Sequence, residues 1–155
     1  MDLAKNLRID SVSRLQPSGP LQVRPDQTVD EAIELMRRDQ VGCILVCQGD
    51  CLVGIFTERD LVLRVLAVGK PLTIPVAECM TPDPVTVHPK DPITVAVARM
   101  EEGGYRHLPV VNEAGRPLGV LSVKKIVHYL VEHFPTTVYN LPPDPTAVPK
   151  APEGA

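Results

Sequence analysis

The chain has 155 residues, 44% hydrophobic but only 3% aromatic with no Trp, and a formal net charge of −3. That is enough for one compact domain or two small fused ones with an aliphatic core of Val, Leu, Ile and Ala. The acidic balance argues against a basic nucleic-acid surface, the few aromatics against platforms for stacking single-stranded bases, and the lack of any apolar run of about 18 residues against a membrane span.

Residues 1–11 are read as an N-terminal segment. Scattered charges and no apolar h-region give no secretory signal, so the cytoplasm is the expected location. From Val12 to Pro20 runs a short lead-in, then an extended piece, Leu21-Gln22-Val23, with prolines on both sides that forbid helix. Thr28 is a helix cap with Glu31 as its capping-box partner, and Ala32, Ile33 and Met36 form the apolar stripe that follows. Cys43 to Cys47 and Leu52 to Phe56 read as strands joined by Gln48-Gly49-Asp50, a turn sequence. A closing helix then carries Leu61, Val62, Val65 and Leu66.

Cys43, Cys47, Cys51 and Cys79 do not show the C-x2-C spacing of zinc knuckles, and no His pair stands at ligand spacing. They are read as small hydrophobes, with no metal site. His88, His128 and His133 belong to no constellation and are read as structural.

Residues 69–78 read as a linker, after which the order repeats. A constant offset aligns Val12 with Val76, Pro20 with Pro84, Val23 with Val87, Ala32 with Ala96, Met36 with Met100 and Val46 with Val110. One inserted residue near Ala114 then brings Gly54 opposite Gly119. The second unit has its own extended piece (Val85-Thr86-Val87) and a helix with Thr94 as cap and Ala96, Val97 and Met100 as stripe. Strands Leu108 to Val111 and Leu118 to Leu121 follow, then a closing helix with Ile126, Val127, Leu130 and Val131. This is a tandem duplication of a unit of about 60 residues. Each unit is β-α-β-β-α, giving an α+β fold in which two repeats, 12–68 and 79–134, pack sheet to sheet with pseudo-twofold symmetry. Residues 135–155, rich in Pro and without apolar period, read as a disordered or extended tail.

Three stretches stand in this duplicated frame: Gly54-Ile55-Phe56-Thr57-Glu58-Arg59-Asp60, Cys79-Met80-Thr81-Pro82-Asp83-Pro84-Val85-Thr86-Val87, and Tyr105-Arg106-His107-Leu108-Pro109-Val110-Val111. On these the chain resembles a tandem pair of cystathionine-beta-synthase (CBS) domains, a Bateman module of the stand-alone bacterial type. The resemblance covers residues 12 to about 134. It implies a regulatory, non-catalytic module that binds AMP, ADP or ATP, with S-adenosylmethionine or NAD as lesser candidates, needs no cofactor, and forms a disc-like homodimer. It further implies control of a partner that is a separate chain.

The resemblance also assigns roles. Asp60 accepts the ribose hydroxyls with its two carboxylate oxygens, Thr57 stands near the ribose or α-phosphate at a helix start, and Ile55 lines the adenine pocket. The other repeat supplies Thr86, Val87, Tyr105, Arg106, His107 and Pro109. Arg106 and His107, joined by Arg59, are the phosphate contacts, while Tyr105, or Leu108 with Pro109, flanks the base. The opposite cleft takes Ser122 and Lys125 with Gln22, Val41, Gly42, Cys43 and Leu45. Lys125 cannot accept a hydroxyl proton, so that cleft is expected to be degenerate.

Thr57 and Asp60 also read as a capping pair that needs no ligand, and the hydroxyl can serve both purposes. Asp60 leans toward ligand because capping boxes prefer Glu or Gln there. Three other functions compete: a scaffold with vestigial clefts, a nucleic-acid-binding module, which the acidic balance disfavours, and an enzyme using the cysteines, for which no paired base is present.

Overall fold

The computed structural model describes residues 3–133; the Pro-rich tail, 135–155, lies outside the described residues. The N-terminal segment opens with helix α1, Leu3–Ile9, which lies against α4 (Ile93–Gly103) and sends Leu7 toward the core of the second repeat. A single 3₁₀ turn follows at Val12–Leu15, closed by Gln16 in the left-handed region at φ 51°.

The first sheet is built from β1 (Gln22–Val23), β2 (Cys43–Gln48), β3 (Cys51–Thr57) and β4 (Thr81–Pro82) in that order. β1 runs parallel to β2, and β3 is antiparallel to both β2 and β4. Between β1 and β2 lies α2, Val29–Asp39. Its start is the expected capping box: the Glu31 amide donates to Thr28 Oγ1 at 3.2 Å and the Thr28 amide to Glu31 Oε2 at 3.2 Å. The second repeat matches, with β5 (His107–Val111), β6 (Pro117–Ser122) and α5 (Val123–His133) after α4. Val87 takes the place of β1 as a parallel bridge to Val110, and Ser18 takes the place of β4 as an antiparallel bridge to Val120.

The lead-in segments are exchanged between the repeats. Val12 and Leu15, first-repeat residues by sequence, are buried with Val87, Ile93, Leu108, Leu121 and Tyr129 in the core of the second repeat. Val76 and Cys79 are buried with Val29, Ile44, Phe56 and Val65 in the core of the first. The same exchange starts the helices, since the Val29 amide donates to the Ile74 carbonyl and the Ile93 amide to the Asp10 carbonyl, both at 3.0 Å. These donors belong to the orphan set at a helix N-terminus, and their acceptors come from the exchanged segments. A third cluster, Cys43, Leu45, Cys47 and Ile55 with Val120, joins the two sheets face to face.

Three local expectations are corrected. Thr94 is not a cap: α4 begins one residue earlier, at Ile93, behind Pro92 and without a side-chain cap. The closing helix of the first repeat starts as a short turn, α3 (Glu58–Asp60), and continues from Leu61 to Leu66 as a wider π-type helix. There the Ala67 amide donates to the Val62 carbonyl at 2.8 Å and the Lys70 amide to the Val65 carbonyl at 3.0 Å. Bonding five residues back lowers the rotation per residue, and the face carrying Leu61 and Val65 packs on the first core while the face carrying Val62 and Leu66 does not. Val65 is buried, while Val62 and Leu66 are exposed. In α5, Tyr129 replaces Val127 on the buried face beside Ile126.

Candidate functional site

At the end of β3 the chain leaves the sheet through Thr57, which is extended (φ −119°, ψ 166°) and caps α3. The Asp60 amide donates to Thr57 Oγ1 at 3.2 Å, and Asp60 Oδ2 accepts from the Thr57 amide at 3.0 Å and from the Thr57 hydroxyl at 3.1 Å. Asp60 therefore completes a capping box in the place usually taken by Glu or Gln. Its other oxygen, Oδ1, accepts from the Thr81 hydroxyl at 3.1 Å and stands 3.5 Å from Arg64 Nε. Arg64 Nη1 in turn donates to the Met80 carbonyl at 2.8 Å. Asp60 is 7% exposed and is the buried charged residue among the described ones; four donors keep its charge compensated there.

This carboxylate lines a cleft of about 890 Å³. On its own side stand Ile55, Thr57 and Arg59, and from the other repeat come Tyr105, Arg106 and His107. Tyr105 reaches the cleft through two glycines at the end of α4. Gly104 turns left-handed at φ 67°, and a Cβ on Gly103 would fall 1.9 Å from the tyrosine ring. Burial pushes the His107 imidazole below its ordinary pKa, with the Glu58 carboxylate opposing and Arg106 and Lys124 reinforcing the shift. The ring is thus mainly neutral at pH 7, a hydrogen-bonding group rather than a charge.

Thr86, Val87 and Pro109 are not among the cleft-lining residues. The Val87 amide donates to the Pro109 carbonyl and its carbonyl accepts from Val111, which locks Val87 into the second sheet with its side chain in the core. Pro109 is buried in β5, and the Thr86 carbonyl accepts from Arg99. The lead-in contributes instead through Thr81 to Val85, upstream of that strand, because Thr81 and Pro82 form the edge of the first sheet. Glu58, Arg64 and the glycine pair were also missed. Only Arg64 had a sequence signal, an opposite charge four residues after Asp60 on a helix.

Gly42 is corrected as well. Expected at the opposite cleft, it lines this one: its carbonyl accepts from the Glu58 amide at 3.1 Å, and its α-carbon faces the Glu58 carboxylate and the His107 ring. Of the other residues expected at the opposite cleft, Gln22 is exposed on β1, Val41 packs on the first core, and Cys43 and Leu45 are buried between the sheets. Ser122 accepts from the Lys125 amide at 3.3 Å, a cap without its acid. Burial pushes the Cys43 thiol up to about 12 and raises Cys47 and Cys79 also, so these thiols are protonated and inert.

A duplicated β-α-β-β-α unit with exchanged lead-ins and a cleft between the repeats defines a paired-repeat α+β module. The CBS-domain family matches residues 12–67 and 76–132, and the chain belongs to that family. It is 40% identical over 105 residues to the meiotically up-regulated gene 70 protein of Schizosaccharomyces pombe, a match covering 67% of this chain and 14% of that protein. It is 36% identical over 91 residues to the CBS domain-containing protein YhcV of Bacillus subtilis, covering 59% and 65%. The chain thus spans less than two thirds of either relative. Among solved structures it superposes on the CBS domain protein PAE2072 of Pyrobaculum aerophilum, determined in complex with AMP, with a TM-score of 0.72 and 26% identity over 82% of this chain and 99% of that one.

Proposed function

We propose that this chain is a regulatory module that binds AMP, ADP or ATP in the cleft of Asp60 and passes the ligand's presence to a separate partner protein. The observation that carries this reading is the pairing, across one cleft, of a buried carboxylate at a strand-to-helix junction with Arg106 and His107 on the facing wall. A carboxylate suits a vicinal diol and a guanidinium suits a phosphate. The AMP held by the Pyrobaculum aerophilum relative is in keeping with it. In this reading each chain binds one nucleotide, since Lys125 stands where the second cleft would need its acid. Exposed Val62, Leu63 and Leu66 on the first closing helix and Val127 on α5 support a homodimer.

The test is a melting curve with AMP, ADP, ATP or S-adenosylmethionine. A ligand at a hundred times its Kd adds about 2.7 kcal/mol to the folded state, so a nucleotide should raise Tm in the wild type and not in Asp60→Ala. No shift with any of them at millimolar concentration would falsify the adenosine reading. A scaffold with vestigial clefts is the second reading, and the internal saturation of Asp60 by Thr57, Thr81 and Arg64 favours it. It requires that Asp60→Ala lower stability while no nucleotide shifts the wild type.

A further inference from the structure

Asp60 has no unengaged oxygen. Oδ2 is held by the Thr57 amide and hydroxyl, bonds made within one turn of chain. Oδ1 is held by groups of a different kind: the hydroxyl of Thr81, 21 residues along the chain, and the guanidinium of Arg64. A carboxylate offers about four lone-pair sites, so a diol that arrives with two donors must displace some of those present. The Thr57 amide is fixed by the helix cap. Thr81 is not: it lies on β4, which pairs with β3 only through Gly54↔Pro82 and Ile55↔Thr81. Arg64 ties the same strap to the same oxygen, because it also donates to the Met80 carbonyl.

The bond from Thr81 to Asp60 is not needed to close the fold. In the second repeat the equivalent edge is the single bridge of Ser18 to Val120, and the residue equivalent to Asp60 is Lys125. Lysine offers a hydroxyl no acceptor there, yet the exchanged edge forms. The hydroxyl–carboxylate latch belongs to the cleft side alone.

We propose that Thr81 is the gate of the diol subsite: its hydroxyl holds the Asp60 oxygen that a ribose diol takes, so nucleotide binding exchanges one hydroxyl for another and unlatches the Met80–Thr81 strap. This rests on the adenosine reading and adds to it the group that competes with the ligand and the segment that responds. The strap continues through Asp83, whose amide donates to the Val53 carbonyl at 3.1 Å and whose backbone is left-handed at φ 45°.

The experiment is titration calorimetry of AMP and of 2′,3′-dideoxy-AMP against wild type, Thr81→Val and Thr81→Ser. Val is an isostere suited to a strand and lacks the hydroxyl; Ser keeps it. Thr81→Val should bind AMP about fivefold tighter, the worth of one competing hydrogen bond, with dideoxy-AMP unchanged and Thr81→Ser like wild type. Hydrogen exchange at the Asp83 amide should quicken with AMP and not with dideoxy-AMP. The gate is overturned if Thr81→Val binds AMP with equal or weaker affinity, if both nucleotides tighten alike, or if the Asp83 amide does not respond. If the wild type binds neither nucleotide, the adenosine reading itself falls and the gate with it; AMP binding with no effect of Thr81→Val sinks the gate alone.

Discussion

Gly119 and Ser18 approach so closely that a Cβ on the glycine would lie 2.4 Å from the Ser18 carbonyl oxygen. The contact exists because Ser18 and Val120 exchange both backbone hydrogen bonds, at 3.0 and 2.9 Å, which draws the exchanged lead-in across β6. Gly54 is the counterpart in the first repeat, but there a Cβ would meet Met80 Sδ, at 2.3 Å. Backbone cannot yield without losing the bridge, whereas a methionine side chain can turn away. Gly119→Ala should therefore cost roughly 3 kcal/mol and Gly54→Ala roughly 1 kcal/mol, within the range for overpacking. Urea midpoints of the two variants test this, and equal losses would count against the exchanged backbone as the source of the glycine requirement.

The exchange also decides which repeat feels a change at Leu15. That side chain is buried in the second core with Val12 and Tyr129, although its place in the sequence is at the head of the first repeat. Leu15→Ala removes buried methyl groups and should cost about 2–5 kcal/mol. Hydrogen exchange should then rise at β5 and β6 amides such as Leu121 before it rises at Ile44 or Phe56 of the first core. Loss of protection beginning in β2 instead would place Leu15 with the wrong repeat.

The parts of the fold that were legible are those written in short-range chemistry. Thr28 and Glu31 and the Gly49 turn each report on a few neighbouring residues. The same holds for Thr57 and Asp60 as a capping pair; the run Tyr105-Arg106-His107 was put forward by the family resemblance, and the fold brings all five residues to one cleft. What stayed hidden depends on distant partners. Nothing local tells Thr81 that it will edge the first sheet, or Leu15 that its side chain will enter the second core, because the exchange of lead-ins is a choice between two nearly identical repeats. The π-type turns after Asp60 are hidden for another reason: Leu61 to Leu66 has an ordinary helical pattern, and only hydrogen bonds reaching five residues back reveal that Val62 and Leu66 face outward.

His107 gives the chain a predictable acid limb. Burial sets its folded pKa below 6.5, the Glu58 carboxylate only partly offsetting this. The unfolded chain consequently takes up the proton first as pH falls. The stability this group contributes is complete above the unfolded value and drains away as pH drops from about 6.5 through the lower folded value. His107→Asn removes the titration. Urea midpoints at pH 7.5 and 5.5 should fall further apart in wild type than in the variant. A wild-type difference no larger than the variant's would show that His107 is not desolvated in solution.

Asp60 holds the helix start and, in the adenosine reading, also receives the ribose diol, and the two roles can be separated by choice of substitution. Asp60→Ala leaves the Thr57 amide and the Thr81 hydroxyl without their acceptor and removes a capping box, a loss of about 1–2 kcal/mol. Asp60→Asn keeps one carbonyl oxygen, enough to accept from the Thr57 amide, and should cost less than half as much. The same amide has only one acceptor oxygen to offer a diol, so Asn should weaken AMP binding nearly as much as Ala does. Denaturation midpoints and AMP titrations on the same two proteins therefore should not rank together: stability runs wild type, Asn, Ala, while affinity drops at the first step. If affinity instead follows stability in proportion, the carboxylate acts on the ligand only by holding the helix start in place.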